Sequence, residues 1–395
     1  MFEAGNGDSF FIRVEGKHIT NILIDFGYSN TYKDHIEKHL KALATNNEKI
    51  DLVIVTHYDQ DHISGGISFF ENNGFSYNPN IISVSEVWHN SYRHIDIRES
   101  EEELTKEEKE HILENSIVIE QNRNKGAKDT SAKQGSRLAA NLKYYEYDWN
   151  SMFENKAVMY RANNSVTLNQ EVEVIVLSPT PKELENLQKV WKKELKKKFP
   201  TIELNGDEIF DDAIECISLM RRPKSLPFIK DTSTSVNLEN LADREFQEDI
   251  DEINASSITC IIKFNEKKLL MLGDSAPSTI EAQLKQIYQE KDFPIIFNGI
   301  KVSHHGSMKN TSNSLLELID AKNYFISTNG NGHGHPDIET IARIITRKNN
   351  GFVRKIYFTH KFSKLDFLDN EELKQKYNYE LHYKVKTEDA VQIYL

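Results

Sequence analysis

Segments in which hydrophobic and polar positions alternate regularly lie toward both ends of the chain, and they predict strands and helices in turn. Residues 10–14 and 19–25 have the pattern of β-strands, and the short connection at 15–17 predicts a hairpin. Between residues 30 and 44, apolar side chains recur at spacings of three and four, which predicts an amphipathic helix. The almost wholly apolar segment 51–55 is typical of a strand that is buried on both faces.

The same pattern predicts the remaining elements and the domain organisation. Further strands are predicted at 81–88, 172–177, 257–264, 268–273, 299–303, 323–328 and 353–358, with two more in the tail at 380–394. Further helices are predicted at 98–111, 189–198, 277–290, 312–319 and 337–347. The regular rhythm is lost in two blocks that lack the apolar periodicity of an independent core. We therefore predict one domain (1–395) with a core of about 1–90, 171–180 and 254–395 and insertions at about 91–170 and 181–253.

Composition and charge narrow the possible partners. The 395 residues include 49 basic and 61 acidic ones, a net charge of −12, which argues against a general polyanion-binding surface. A basic loop at 121–137 and the lysine-rich helix at 189–198 are local exceptions that could contact a nucleic acid. Two cysteines exclude a disulfide framework, and neither a membrane span nor a signal peptide is evident. These features predict a cytoplasmic protein with no membrane association.

The densest group of candidate functional residues directly follows the apolar segment 51–55. Four potential metal ligands fall within six residues: His57, Asp59, Asp61 and His62. Imidazole and carboxylate together suit Zn, Mn or Fe in an open, catalytic geometry. Gly65 and Gly66 would allow the following helix to pack closely beneath the site. The alternative is a polar loop that only caps a helix, but four ligand types at this spacing favour a metal.

Three later groups also follow predicted strands. Asp274 comes after Leu272-Gly273, where a simple turn is the alternative interpretation. The pair His304 and His305 precedes Gly306-Ser307, and the glycine-rich stretch 329–336 contains two more histidines. Chance histidines in a flexible loop are the alternative for that stretch. Because six of the fourteen histidines lie in these groups and at 57–62, we predict one shared hydrolytic metal centre with Asp274 as the bridging carboxylate.

In these motifs the sequence resembles the metallo-β-lactamase superfamily, and more narrowly its ComEC-like group. The resemblance covers roughly residues 1–90, 171–180 and 254–360. Its motifs are Gly5-Asn6-Gly7-Asp8-Ser9, Leu23-Ile24-Asp25-Phe26-Gly27, the HxDxDHxGG pattern from His57 to Gly66, Asn254 and Ser257, Leu272-Gly273-Asp274, the HHGS sequence at 304–307, and His335-Pro336.

The resemblance implies a fold and a set of ligands. It implies an α/β (α+β) fold, the αββα four-layer sandwich, here with two insertions. The implied metal ligands are His57, Asp61, His62, Asp274 and one of His304 or His305, while Asp59 replaces the second histidine of the commoner motif. One or two divalent ions, Zn or Mn, are the expected cofactors.

The expected function is metal-dependent hydrolysis, in particular that of a phosphodiesterase or nuclease acting on nucleic acid or a nucleotide. We expect Asp61 and His335 to be catalytic, and Ser307, Asn331, His333 and His335 to contact the substrate. One alternative is hydrolysis of a small-molecule ester, lactone or thioester. Another is a partner or effector subunit of a multi-protein system, for example in defence, that docks through the insertions.

Overall fold

The computed structural model describes residues 1–95, 98–123, 137–162, 165–219, 237–385 and 388–395. These residues form two compact units. The first unit contains the described residues within Met1–Thr20, Met159–Thr180 and Pro223–Leu395, and the second those within Asn21–Val158 and Pro181–Arg222. The second unit therefore includes the first ligand group and most of both predicted insertions. The single domain with two insertions stays a prediction.

The chain has a mixed α/β fold, as the sequence predicts. In chain order the strands of the described residues are β1 (Phe10–Glu15), β2 (Ile19–Ile24), β3 (Leu52–Ile54), β4 (Val87–Trp88), β5 (Ser165–Leu168), β6 (Val172–Ser178), β7 (Thr259–Phe264), β8 (Lys267–Met271), β9 (Ile295–Phe297), β10 (Gly299–Lys301), β11 (Ile319–Ala321), β12 (Asn323–Ile326), β13 (Arg354–Phe358) and β14 (Tyr379–Tyr383).

The α-helices lie between these strands, singly or in succession. They are α1 (Ser29–Thr31), α2 (Glu37–Thr45), α3 (Gln60–Asn73), α4 (Lys106–Arg123), α5 (Leu138–Tyr144), α6 (Pro181–Lys198), α7 (Ile209–Leu219), α8 (Leu238–Ala242), α9 (Glu252–Ala255), α10 (Pro277–Ile287), α11 (Asn313–Leu318), α12 (Ile338–Ile345) and α13 (Glu371–Tyr377). A π-helical turn at Tyr32–Ile36 joins α1 to α2, and together they match the predicted helix at 30–44.

The first unit is built on a sheet with the strand order β14-β13-β12-β10-β8-β7-β6-β5. Strands β5 to β8 pair antiparallel, whereas β8, β10, β12, β13 and β14 are parallel. The hairpin of β7 and β8 confirms the predicted strands at 257–264 and 268–273. Apolar side chains of this sheet, including Leu270, Ile300 and Ile356, are fully buried together with Ile280 and Ile341 of the covering helices. The parallel strands thus direct their carboxyl ends to one edge of a rigid sheet.

In the second unit, β2, β3 and β4 pair in parallel. The three residues of β3 are fully buried, which confirms the strand predicted from its continuous apolar run. Phe26 and Phe69 stack at 5.2 Å between ring centroids, so α3 is fixed against the end of β2. This packing holds the first ligand group, which lies between β3 and α3, on a buried support.

Two predicted elements of the second unit are corrected. The strand predicted at 81–88 is confined to Val87–Trp88, and it is preceded by an isolated parallel bridge between Ile50 and Val84. The helix predicted at 98–111 begins only at Lys106 and continues to Arg123. Thr105 and Glu108 form a capping box at its start, which explains the later beginning.

The tail contains one predicted strand, β14, and no second strand among its described residues. Ala390 makes an isolated antiparallel bridge with Phe2 there. Most of the basic loop predicted at 121–137 lies outside the described residues. Its last residue, Arg137, is buried and lies 3.8 Å from the Asp212 carboxylate, so this side chain does not contribute to a basic surface.

Candidate metal centre

The second unit brings polar side chains together at the carboxyl edge of its parallel strands. Asp25 follows β2, His57 follows β3 by three residues and His89 directly follows β4. Parallel strands end at a common edge, so residues that follow them become neighbours although they are far apart in sequence. All three side chains are buried.

Asp25 organises the two histidines of the first ligand group. Its carboxylate accepts hydrogen bonds of 2.8 Å from His62 Nδ1, from Thr56 N and from Thr56 Oγ1. Since the Thr56 hydroxyl donates to Asp25, its oxygen accepts from His57 Nδ1 at 3.0 Å. These hydrogen bonds assign both imidazoles the tautomer that presents the Nε2 lone pair, as in metal-binding histidines held by a carboxylate.

The two imidazoles are close enough to serve one ion. Their ring centroids lie 4.1 Å apart, and a ring nitrogen of each lies within 4.8 Å of one of the other. Two imidazoles backed by a buried carboxylate are a donor set that suits Zn or Mn. The residues present in the second unit therefore fit a divalent metal.

The two aspartates of this group lie at the start of α3. Asp59 immediately precedes the helix, and its carbonyl accepts from His62 N and Ile63 N. Its carboxylate lies 3.9 Å from His57 Nε2. Asp61 lies in the first turn, where the helix dipole favours a carboxylate. Their roles as ligands stay predictions.

Gly65 explains how α3 approaches the end of β2. A Cβ atom at this position would lie 2.3 Å from the Phe26 carbonyl oxygen, and the Gly65 amide donates to the Gly27 carbonyl at 2.9 Å. Only glycine permits this separation, so the sequence interpretation of the glycine pair as a close-packing device is confirmed at Gly65.

The first unit collects the other predicted residues at the corresponding edge of its parallel strands. Asp274 follows β8, His304 and His305 follow β10, and His333 and His335 follow β12. Asp274 Oδ2 lies 3.5 Å from His305 Nε2 and 3.8 Å from His304 Nε2. Nitrogen and oxygen ligands of one tetrahedral zinc ion are separated by about 3.3–3.6 Å, so the spacing of Asp274 and His305 fits a common ion, whereas that of Asp274 and His304 is slightly longer.

Hydrogen bonds fix both imidazoles of this pair. His305 Nδ1 donates to the Ser327 carbonyl at 3.0 Å, and His304 Nδ1 lies 3.2 Å from Asp249 Oδ2 and 3.1 Å from Asn310 Oδ1. Each ring therefore presents Nε2 toward Asp274. Burial alone would lower the pKa of His304, but the neighbouring Asp274 and Asp249 carboxylates raise it above its ordinary value.

The backbone at this pair is strained. His304 and His305 have φ angles of 46° and 55°, in the left-handed region that residues other than glycine rarely adopt. Gly306 follows with φ 89°, and a Cβ there would lie 2.7 Å from Pro336 Cβ. Strain of this kind persists where the surrounding structure enforces it, often at functional sites.

Asp8 joins this group, although its role was not predicted. Ligand atoms of Asp8, Asp274 and His305 all lie within 4.8 Å of one another. The loop that carries Asp8 is held by Ser327 Oγ, which donates to the Gly7 carbonyl at 2.6 Å. All three ligand side chains are buried, and two carboxylates with an imidazole are again a donor set that suits a divalent ion.

The predicted substrate-binding residues are distributed around the histidine pair of the first unit. The parallel rings of His333 and His335 lie 5.8 Å apart between centroids, and the His304 ring lies 5.3 Å from that of His335. Burial lowers the pKa of His335 to about 4, so this imidazole is neutral at pH 7. Ser307 is buried and Asn331 is exposed. Contact with a substrate stays a prediction for these residues.

Sequence reasoning missed the supporting residues Asp8, Asp25 and His89. Asp8 and Asp25 stood within motifs of the resemblance but received no role, and His89 received none. One signal was available: Asp25 and His89, like His57, come shortly after an apolar segment that ends at the edge of a parallel sheet. His89 Nδ1 lies 3.3 Å from the Val55 carbonyl, and burial lowers its pKa to about 4.

The comparisons with known proteins agree with this geometry. Residues 3–77 match the family model of the metallo-beta-lactamase superfamily, a segment that includes Asp8, Asp25 and the first ligand group. No curated protein matches the chain. The match and the grouped ligands support a metal-dependent hydrolase, and the mixed α/β architecture is consistent with the fold of that superfamily. None of the helices in the described part of the chain is both long enough and apolar enough to cross a membrane.

Proposed function

We propose that this protein is a metallo-β-lactamase-fold phosphodiesterase that acts on nucleic acid or a nucleotide. The main observation in support of a metal-dependent hydrolase is the hydrogen bonding of four histidine rings. His57, His62, His304 and His305 each have Nδ1 in a polar contact with a neighbouring group. Four imidazoles prepared in this way to coordinate through Nε2 are typical of a metal centre and unusual in a structural polar cluster.

His57, His62, Asp274 and His305 are the residues that we propose as ligands of the ion. A bound divalent ion would supply Lewis acidity and activate water for attack on the substrate. The sequence resemblance assigns both ligand groups to one centre, and Zn or Mn is the expected metal.

The histidines beyond these ligands support a phosphodiester as the substrate. His333 and His335 add two imidazoles close to His304. Asp337 Oδ2 lies 3.3 Å from His335 Nδ1, and burial lowers the pKa of His335, so that this imidazole is neutral at pH 7. Several imidazoles beside a metal suit an anionic group whose charge is spread over several oxygens.

Helix α6 supports a polymeric substrate. Its buried face carries Trp191, whose ring packs edge-on against Tyr58 of the first ligand motif at 4.9 Å. Its exposed lysines include Lys189, Lys193 and Lys197. Lys192 and Lys196 pair with Glu99, so only part of the basic surface is available for phosphates.

The test compares hydrolysis of different bond types by the metal-loaded protein. We expect turnover of a generic phosphodiester, and of single-stranded DNA, RNA or a cyclic dinucleotide, with Mn or Zn. Asp61→Asn and Asp274→Asn should abolish it. The matched controls Asp148→Asn and Asp366→Asn change exposed aspartates of the same two units and should retain it.

Three results would overturn parts of this proposal. Turnover of a lactone, ester or thioester without any phosphodiester would replace the substrate class and leave the metallohydrolase intact. Absence of metal after reconstitution would favour a non-catalytic partner subunit. Equal activity of Asp274→Asn and Asp366→Asn would remove Asp274 from the centre.

A further inference from the structure

A buried lysine lies beside the carboxylates of the first unit. Lys301 ends β10, between β8 and β12 in the sheet, and it is 1% exposed. Its ammonium donates to the Gly273 carbonyl at 2.7 Å, forms an ion pair with Asp8 Oδ2 and lies 3.3 Å from Asp274 Oδ1. Three oxygens thus surround this ammonium, much as they would surround a small cation.

Asp274 divides its two oxygens between different neighbours. Oδ1 faces the Lys301 ammonium, whereas Oδ2 faces Nε2 of His305 and of His304. Asp8 divides its carboxylate similarly, with Oδ2 on Lys301 and Oδ1 3.3 Å from His305 Nδ1. Oδ2 of Asp274 is therefore the oxygen that faces the imidazoles, where a metal ligand set is available.

We infer that the Lys301 ammonium occupies one of the two cation positions beside Asp274, so that the centre takes one divalent ion and not two. This inference rests on the proposed function, since it requires a metal centre. Two buried carboxylates need positive charge nearby, because burying a charge without a partner is costly. The Lys301 ammonium supplies one positive charge, and the ion on the imidazole side would supply the rest.

An ordinary buried ion pair is the competing explanation, and it predicts a different result. Removing one member of such a pair lowers stability but creates no binding capacity. If Lys301 takes the place of an ion, its removal leaves the oxygens of Asp8, Asp274 and the Gly273 carbonyl around the vacated position. A second divalent ion can then enter the vacated position.

The test counts bound ions. The wild type, Lys301→Met and Lys355→Met are loaded with excess Mn or Zn, desalted and assayed by elemental analysis. We expect one ion per chain for the wild type and two for Lys301→Met. Lys355→Met removes a partly exposed lysine from β13 of the same sheet and should leave the count at one.

Two further measurements test the inference even if Lys301→Met does not fold. The double variant Asp8→Asn/Lys301→Met restores the charge balance and lacks one carboxylate of the second position, so it should bind one ion. Electron paramagnetic resonance of the Mn-loaded wild type should show isolated Mn²⁺ without spin coupling. This measurement needs no variant.

The inference is overturned if the wild type binds two ions, if its Mn²⁺ spectrum is that of a coupled pair, or if folded Lys301→Met binds only one ion. A wild type that binds no divalent ion contradicts the proposed function as well. If a wild type with two bound ions hydrolysed a phosphodiester, the proposed role of Lys301 would be wrong, but the proposed function would stand.

Discussion

At the residue scale, Asp25 controls two histidines through one carboxylate. It accepts directly from His62 Nδ1, and it orients His57 through the Thr56 hydroxyl. Asp25→Asn retains the shape but replaces one acceptor oxygen by a donor, so at least one of these hydrogen bonds is lost. We expect the affinity for Zn or Mn to fall about 10–100-fold, as for other residues that orient metal ligands. Isothermal titration calorimetry measures this change.

The matched control for this substitution is Asp51→Asn. Asp51 is also buried in the second unit, and its carboxylate accepts from Asn21 N at 2.8 Å, but it precedes β3 and so lies at the other end of that strand. Its substitution should leave metal affinity unchanged even if stability falls. Equal losses of affinity in the two variants would show that Asp25 acts only through general stability.

Single residues also show what the sequence can reveal about the site. His57 and His62 were predicted because ligand types cluster within six positions. Asp8 lies more than 250 residues before Asp274 in the sequence, and no local pattern connects them. The pairing of parallel strands and the hydrogen bond from Ser327 Oγ to the Gly7 carbonyl help to bring these side chains together. Such contacts cannot be predicted from spacing alone.

At the scale of elements, the position of α3 depends on the absence of a side chain at Gly65. Alanine normally stabilises a helix by about 1 kcal/mol relative to glycine. Here the added methyl group would overlap the Phe26 carbonyl, and overpacking of this kind costs about 1–3 kcal/mol. We expect Gly65→Ala to lower the free energy of unfolding in denaturant titrations, because the steric cost exceeds the gain in propensity.

Gly206→Ala provides the comparison for Gly65→Ala. The nearest heavy atom to a Cβ at this position is Arg98 Cδ at 3.6 Å, an ordinary van der Waals contact. Its effect should stay within about 0.5 kcal/mol. If Gly65→Ala were as stable as the wild type, α3 would not be held against the end of β2 as closely as described.

The accuracy of the predicted elements follows from how each one is stabilised. Strands β3, β8 and β10 were predicted because they are short apolar runs between polar ends, a pattern that can be recognised in a single sequence. The helix α7 was missed because its buried positions include Asp211 and Glu215. Both carboxylates have partners: Arg93 for Asp211, and the first amides of α5 for Glu215. Buried polar networks of this kind hide amphipathic periodicity.

At the scale of the whole molecule, binding of a metal ion should increase the stability of the folded protein. The predicted ligands come from both compact units, and the resemblance assigns them to one centre. An ion that binds only the folded state stabilises it by about 2.7 kcal/mol when its concentration is 100 times the dissociation constant. We therefore expect the midpoint of thermal unfolding to rise with the concentration of Zn or Mn, and chelation to reverse the rise.

Variants in each unit decide whether one ion accounts for this effect. His62→Ala removes a predicted ligand of the second unit and Asp274→Asn a predicted ligand of the first, and each should abolish the metal-dependent rise in the midpoint. Asp148→Asn and Asp366→Asn should show the full rise, because both side chains are exposed. If each ligand variant instead retained a saturable part of the rise, the two groups would bind separate ions, and the single centre predicted from the sequence would be wrong. Differential scanning fluorimetry across a metal titration distinguishes these outcomes.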